Sequence, residues 1–188
     1  MPEAATTPHR QRSERLAKAL IVELVRQAGP RGLTKTATYK AFYWTHRYML
    51  ADTGREATGW PLARMPFGPG IDEGEQLLAE LVAAHVLKAE TLARGGTVYR
   101  FVREDADQEP LPEALRAAAA KAIAHVGKRR ADDLSDETHE GEKASRSWQM
   151  AENGELLEVA LDLLTDDEYE RLREACREAD ELLSDIIA

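Results

Sequence analysis

The residues best suited to chemistry are four carboxylates that precede a histidine, namely Asp132, Asp133, Asp136 and Glu137 ahead of His139. Such a group could act as general acid and base, or could hold a metal ion. Carboxylates at the start of a helix more commonly stabilise its positive end. We therefore expect capping and solvation here, and keep an enzyme acting through this cluster as the less favoured alternative.

Other signs of catalysis are absent from the sequence. The five histidines have no cysteine partners and no His-Glu-x-x-His spacing, which argues against zinc. Gly68-Pro69-Gly70 is expected in a proline-locked turn, where proline has no amide hydrogen to offer a phosphate. Cys176 lies between Glu174 and Glu178, whose charges disfavour a nucleophilic thiolate. We expect a protein that is not an enzyme and has no cofactor or metal.

Charge is divided unevenly along the chain. The 188 residues carry a net charge of −9, yet residues 1–70 hold 11 basic and 5 acidic side chains. The last 38 residues hold 3 basic and 13 acidic side chains, so the acid is concentrated there. A general nucleic-acid binder is disfavoured, and charge blocks of this kind often mark interaction surfaces. The simpler interpretation of the acidic block is that its side chains form the solvated face of a helix.

Apolar runs and cysteine usage indicate the compartment. No window approaches the ~18 unbroken apolar residues of a membrane span, and the N-terminus has no secretory apolar region. A single cysteine excludes an intrachain disulfide framework. We expect a cytoplasmic protein with no membrane partner.

Hydrophobic periodicity and turn residues predict the elements that must position these groups. Residues 1–13 are expected to be a flexible N-terminus, and a helix is expected from Glu14 to the Gly29-Pro30 stop. The next expected elements are a helix over 34–51 stopped by Gly54, an edge strand over 60–65 with a rigid loop after it, a helix over 72–84 and a hairpin over 86–103. Then follow helices over 113–126, 132–141 and 155–164, the last capped by Asn153, and a final helix opened by a Thr165–Glu168 capping box.

These elements predict a mainly α protein (α+β) with a small antiparallel sheet and a winged-helix-like order. A helical domain over 14–164 is followed by an acidic amphipathic helix over 165–188. The winged-helix-like order of elements is compatible with a DNA-binding transcriptional regulator, which we keep as the alternative function. However, the candidate recognition helix carries Asp72, Glu73, Glu75 and Glu80 and no cation, whereas phosphate contact needs cations. The basic hairpin residues Lys88, Arg94 and Arg100 keep this alternative open, with nucleic acid a disfavoured partner.

The final helix has an apolar seam spaced alternately by three and four residues, as in a coiled coil: Tyr169, Leu172, Cys176, Ala179, Leu183 and Ile186. One interpretation is a terminal helix packed on its own core. The other is a helix offered to a partner protein or to a second copy in a homodimer.

The proline-rich segment over residues 60–67 places large apolar side chains on a restricted backbone, namely those of Trp60, Met65 and Phe67. Aromatic residues on a pre-ordered surface often dominate binding energy. The alternative is that these side chains close the core and the prolines only set the turns. We expect a core position for Phe67 and leave both interpretations open for Trp60.

A set of short motifs resembles the Panacea domain, the SocA-like antitoxin family. The resemblance rests on a Lys-Ala-Phe-Tyr-Trp run, a Thr-Gly pair, an aromatic-Gly-Pro turn and a downstream region, over roughly residues 15–164. The residues that carry it are Lys40, Tyr43, Trp44, Thr58, Gly59, Trp60, Phe67, Gly68, Pro69, Leu134, Ser135, Thr138, His139 and Trp148. This sequence differs by residues 140–146, which look like an insertion, and by its acidic final helix.

The resemblance implies an antitoxin that neutralises an unrelated toxin by binding it. Some members of the family look like adaptors that deliver a toxin to a cytoplasmic protease. The partners implied are therefore a cognate toxin and, in an adaptor, a protease. The motif residues, together with Tyr169, Leu172, Leu183 and Ile186 of the final helix, are the candidate contact residues.

Overall fold

A computed structural model describes residues 8–93, 95–104, 109–127, 129–140 and 144–187, without the side chains of 180–182 and 184–187. Its helices are α1 (Pro8–Gln27), α2 (Lys35–Thr53), α3 (Gly74–Ala83), α4 (Glu113–Val126), α5 (Ala131–His139), α6 (Arg146–Met150) and α7 (Asp166–Ile187). Two 3-10 helices span Gly29–Arg31 and Val159–Leu163, and the strands are β1 (Leu33–Thr34), β2 (Leu62–Met65), β3 (Gly68–Ile71), β4 (Leu87–Thr91) and β5 (Thr97–Phe101). The protein is mainly α with small antiparallel sheets, as expected.

Helix α2 lies at the centre of the core. Thr34 caps its start by accepting from the amide of Ala37 at 3.2 Å, and left-handed Gly54 ends it. Helices α1, α4 and α5, strand β3 and the second 3-10 helix all pack on it. Because α2 is surrounded, its middle turns are buried all round, polar side chains included. Those polar groups must find partners inside the protein.

The strands form two antiparallel sheets. One has the order β1-β5-β4, and the other is the β2–β3 hairpin, in which Met65 pairs with Gly68. The expected order of helices and β4–β5 hairpin is present, with the β2–β3 hairpin inserted between α2 and α3.

The expectation of a loop after Met65 is wrong, because Gly68–Ile71 is a strand. Pro69 is tolerated there because β3 is an edge strand: it pairs with β2 on one side and has no ladder partner on the other among the described residues. The expected start of β2 at Trp60 also moves to Leu62.

Two further boundaries differ from the sequence expectations. Helix α1 begins at Pro8, six residues before the expected start, and residues 1–7 of the expected flexible terminus lie outside the described part. The helix expected over 155–164 is replaced by extended chain and one short 3-10 helix. The reason is pairing to the free edge of β2: the amide of Arg64 donates to the carbonyl of Glu155, and that of Leu157 to Leu62, each at 2.8 Å.

Candidate functional site

The motif residues Lys40, Gly68 and His139 come from three separate elements and meet beneath the β2–β3 hairpin. The ammonium of Lys40 donates to Thr138 Oγ1 at 2.8 Å. A Cβ added to Gly68 would lie 2.0 Å from Lys40 Nζ and 3.2 Å from His139 Nε2. Gly68, at φ +99°, therefore provides both the left-handed turn and the room for the amine.

Lys40 is an ionisable group almost without solvent. Its exposure is 1%, and burial lowers its pKa to about 7, against a smaller opposing effect of Glu137. A primary amine near neutrality can bind an anion or act as a base. Its bond to Thr138 also joins α2 to α5, so the same contact has a structural role.

His139 forms a stack with Trp148 and Arg64. The rings of His139 and Trp148 are 4.1 Å apart and 11° from parallel, and the Arg64 guanidinium lies 4.4 Å from the centre of the Trp148 ring. Trp148 Nε1 donates to the carbonyl of Met65 at 2.9 Å. Burial, with Lys40 and Arg64 nearby, lowers the pKa of His139. The neutral imidazole therefore packs as an aromatic ring under the hairpin.

Tyr43 bonds to a buried carboxylate, Asp162, that no sequence pattern indicates. Its hydroxyl donates to Asp162 Oδ2 at 2.8 Å, and the amide of Ser147 donates to Asp162 Oδ1 at 2.8 Å. The Ser145 and Ser147 hydroxyls also bond to Asp162, which is 6% exposed. The pKa of Tyr43 is raised by burial and by the Asp162 charge. Ser145 could have been found from its cap position before α6; nothing local marks Asp162.

The Thr-Gly pair supports the core. Thr58 Oγ1 accepts from the amide of Trp60 and bonds to His46 Nε2, each at 3.1 Å. His46 Nδ1 donates to the carbonyl of Phe42 at 3.0 Å, so Nε2 is the acceptor of the Thr58 hydroxyl. Burial lowers the pKa of His46 to about 4, which keeps the ring neutral. Gly59, at φ +67°, provides the exposed turn.

The two aromatic residues of the proline-rich segment have opposite surroundings. Trp60 is 5% exposed and its Nε1 donates to the carbonyl of Asp72 at 2.8 Å, so it belongs to the core. Phe67 is 69% exposed at the hairpin turn, and the expectation of a core position for it is wrong. The tight Pro66-Phe67 turn holds the Phe67 ring away from the core.

Two further motif residues are also inside the protein. Pro69 is buried in β3, and the Trp44 ring stacks on His125 with 4.1 Å between the ring centres.

The carboxylates ahead of His139 do not meet as a set. Glu137 binds His125 Nε2 at 2.8 Å and Arg129 at 2.6 Å, while Asp132 forms an exposed pair with Arg130. Asp132 and Asp133 lie in the first turn of α5, where the helix dipole favours them. Within the described ranges, no group of three acidic, histidine or cysteine side chains could hold a metal ion.

Helix α7 leaves its apolar seam in solvent. The Thr165–Glu168 capping box is present, with the amide of Thr165 donating to Glu168 at 2.8 Å. Every side chain from Glu170 to Ala179 is exposed, Cys176 included, with Leu172 at 38% and Leu183 at 55%. The Ile186 side chain lies outside the described part. The described helix is thus not packed on its own core.

Arg146 connects the base of α7 to the domain. Its guanidinium donates to the carbonyl of Thr165 at 3.1 Å, pairs with Asp166, and lies 4.8 Å from the Tyr169 ring centre. The first turn of α7 is therefore fixed by several contacts, while the seam beyond it has none of comparable kind among the described side chains.

A cleft of about 500 Å³ lies between the β2–β3 hairpin and the start of α3. Its walls are apolar, and Tyr39 and Lys40 of α2 lie along its floor. No sequence pattern indicates this cleft, because the hairpin that forms one wall is predicted from the sequence to be a loop.

Comparisons with known proteins add no relative. No family model, no curated protein and no solved structure matches this chain. The resemblance to the Panacea domain stays a prediction carried by the motif residues. In the part of the chain that is described, none of the helices has the length and apolar character needed to cross a membrane.

Proposed function

We propose that this protein is an antitoxin that neutralises a cognate toxin by direct binding, with α7 as a principal contact. The observation that carries the proposal is the solvent-exposed apolar seam of α7 on a base fixed by Arg146. An amphipathic helix laid into the groove of a partner is a common recognition mode. The motif residues carry the family resemblance through their sequence, and one of them, Tyr43, bonds to Asp162 in the segment that precedes α7.

The charge of α7 indicates the kind of toxin surface. Nine acidic and three basic side chains lie between Asp166 and Ile187. Such a helix favours an apolar groove rimmed by lysine or arginine, because complementary potentials speed encounter and exclude wrong partners. The expected toxin therefore presents a basic surface, and its affinity should fall as salt rises.

Co-expression with the product of the neighbouring gene tests the proposal. We expect that product alone to stop growth and the pair to grow, with a complex that survives copurification. A neighbouring product that is harmless alone would contradict the proposal. An adaptor for proteolysis would instead lower the toxin level in normal cells, and the level would recover in cells without the protease.

Matched variants of α7 test the seam itself. Leu172→Gln with Leu183→Gln removes apolar contact, and we expect growth rescue and copurification to be lost. Arg171→Gln with Arg177→Gln introduces the same side chain outside the seam and should preserve both. If the seam variant neutralises the toxin as well as the unchanged chain, α7 is not the contact.

The alternative, a DNA-binding regulator, has weaker support from α3. Glu80 pairs with Lys18 at 2.5 Å and Glu73 with Arg10 at 2.9 Å, so acids of this helix occupy cations of α1. A salt-dependent shift of the upstream promoter fragment by the purified chain would favour that function over toxin binding.

A further inference from the structure

Helix α7 carries an apolar seam that the rest of the described chain does not cover beyond its base. Every side chain from Glu170 to Ala179 is exposed, and so is that of Leu183. The domain meets the seam at Tyr169, whose ring centre lies 4.8 Å from the Arg146 guanidinium. A second helix therefore has room along the seam from Leu172 onward. An apolar stripe in water favours association with another apolar surface.

The sequence of α7 keeps most of its acidic residues away from the seam. In a coiled-coil heptad with Tyr169 at core position a, the outer positions b, c and f lie farthest from a paired helix. Six of the nine acidic residues of α7 occupy those outer positions: Asp167, Glu170, Glu174, Glu178, Glu181 and Asp185. Paired helix axes are about 8–10 Å apart, so charges on the two outer sides are farther apart than the screening length of about 8 Å at physiological salt. The acidic character of α7 therefore does not prevent it from pairing with a second copy.

The positions that flank the core, e and g, are complementary between two parallel copies. In a parallel pair, position g of one helix lies beside position e of the next heptad of the other. Glu168 at g thus lies beside Arg173 of the second copy, and this pair of opposite charges occurs on both sides of the core. The next flanking pair joins an alanine at 175 to an acid at 180, and the last joins apolar residues at 182 and 187.

An antiparallel pair lacks this complementarity. When the core residues Cys176 and Ala179 of opposite helices are neighbours, position e lies beside position e, and the aspartate at 180 meets its own copy near the middle of the pair. Like charges at facing positions select against an arrangement. The sequence of α7 therefore favours the parallel orientation.

The partners of Glu168 and Arg173 within their own helix leave both groups able to form the flanking pair. Arg173 pairs with Glu170 at 3.3 Å, and both side chains are largely exposed, so that contact contributes little. Both side-chain bonds of Glu168 to Thr165 use Oε2, and a carboxylate has a second oxygen for a guanidinium. The flanking pair can therefore form while the capping box of α7 is kept.

We propose that α7 pairs with α7 of a second copy of this chain, in parallel and in register, so that the free protein is a dimer. Leu172 and Leu183 then pack against their own copies, and Cys176 faces Cys176 of the second copy. This pairing does not depend on the antitoxin function. Because the same seam is the proposed toxin contact, the toxin and the second copy exclude each other, and that consequence rests on the proposed function.

Sedimentation equilibrium of the purified full chain, under reducing conditions, tests the pairing. We expect a mass that rises with concentration and reaches that of two chains by about 0.2 mM, because a seam of two to three heptads pairs weakly. Leu172→Gln with Leu183→Gln should remain a single chain, with circular dichroism to show that its domain is folded.

A matched pair of charge variants tests the flanking contact. Arg173→Glu places like charges on both sides of the core and should raise the dissociation constant of the dimer about fivefold or more. Arg171→Glu makes the same change of charge at an outer position and should leave that constant within about twofold.

Oxidation by diamide tests the orientation, because it joins two thiols in one disulfide while the diamide is reduced to a hydrazine. A disulfide needs Cα atoms within about 7 Å, and matching core positions are neighbours in a parallel pair alone. We expect Cys176 to form a covalent dimer at least about tenfold faster than a cysteine moved to the outer face by Cys176→Ser with Glu174→Cys.

Three results would each overturn the pairing: a single-chain mass at 0.2 mM, equal dimerisation of Arg173→Glu and Arg171→Glu, or equal cross-linking rates at 176 and 174. The disulfide-linked dimer separates this inference from the proposed function, since it should no longer bind the toxin. A linked dimer that still binds the toxin would refute α7 as the toxin contact and leave the pairing in place. A single-chain protein that needs the seam for growth rescue would refute the pairing alone.

Discussion

At the scale of single residues, Lys40 combines a long apolar stem, packed in the core, with an amine that has lost its water. The amine donates to Thr138, and the charge of Glu137 acts on it against the larger effect of burial. Burial of a lysine stabilises a fold less than burial of an apolar chain of the same length, because the charged form is desolvated. Lys40 therefore lowers the stability of the fold by an amount that changes with pH.

Lys40→Met should make the stability of the fold less dependent on pH. The folded pKa of about 7 is below the unfolded value, so between these values the unfolded chain binds a proton that the folded chain releases. The free energy of unfolding then rises with pH, by up to about 1.4 kcal/mol per unit, from near 7 to about 10. We expect urea unfolding to show this rise in the unchanged chain and a flatter profile in the variant, with the greatest gain in stability at pH 6.

Lys121→Met is the control for that series, because Lys121 lies on the exposed face of α4 beside Asp52. It should leave the pH profile of the unchanged chain in place. Parallel profiles for Lys40→Met and the unchanged chain would show that the amine keeps its charge and its water in the folded state.

At the scale of elements, a buried carboxylate joins the chain after α5 to α2. Asp162 lies in the second 3-10 helix and accepts from Tyr43 of α2 and from two serines at the start of α6. These elements are short, so their own backbone bonds do not hold them in place. The buried network orders residues 145–163 against the core, and α7 follows directly from it.

Asp162→Ala should destabilise the fold by roughly 3 kcal/mol, since it leaves several buried donors without an acceptor. Tyr43→Phe removes a single donor and should cost about 1 kcal/mol. Urea unfolding measures both, and the double variant should lose less than the sum of the two. Asp52→Ala, at an exposed ion pair, is the control and should change stability by less than about 0.5 kcal/mol. A loss of similar size in Asp52→Ala and Asp162→Ala would contradict this account.

The sequence predicts an element correctly where nearby residues determine it, and fails where residues far away in the chain do. Helix α4 begins and ends where the sequence predicted, because Pro112 and Gly127 flank it locally. The strand pairing of Glu155 with Arg64 and the bond from Tyr43 to Asp162 join distant segments, and no local pattern encodes them. Phe67 was misplaced for the same reason, since its exposure depends on a hairpin partner, not on its own hydrophobicity. The motif residues were identified, but not the cleft beside them.

At the scale of the whole molecule, the protein consists of a packed domain and a helix with little part in its packing. The core contains the buried faces of α1, α2 and α4, and none of its buried apolar residues comes from the described side chains of α7. The charge follows the same division, with the acid concentrated after residue 150. Folding therefore relies on the part of the chain before α7, and the proposed partner binding is assigned to α7.

A chain that ends at Leu164 should fold with nearly unchanged stability. It loses the contacts of Arg146 with Asp166 and Tyr169 but keeps the Asp162 network, so we expect a change within about 1 kcal/mol. Urea unfolding followed by tryptophan fluorescence gives a like-for-like comparison, because Trp44, Trp60 and Trp148 all remain. A chain that ends at Gly154 is the contrasting variant: it loses Asp162 and the strand pairing to β2, and should unfold at much lower urea. Loss of cooperative unfolding in the first variant would mean that α7 belongs to the core after all.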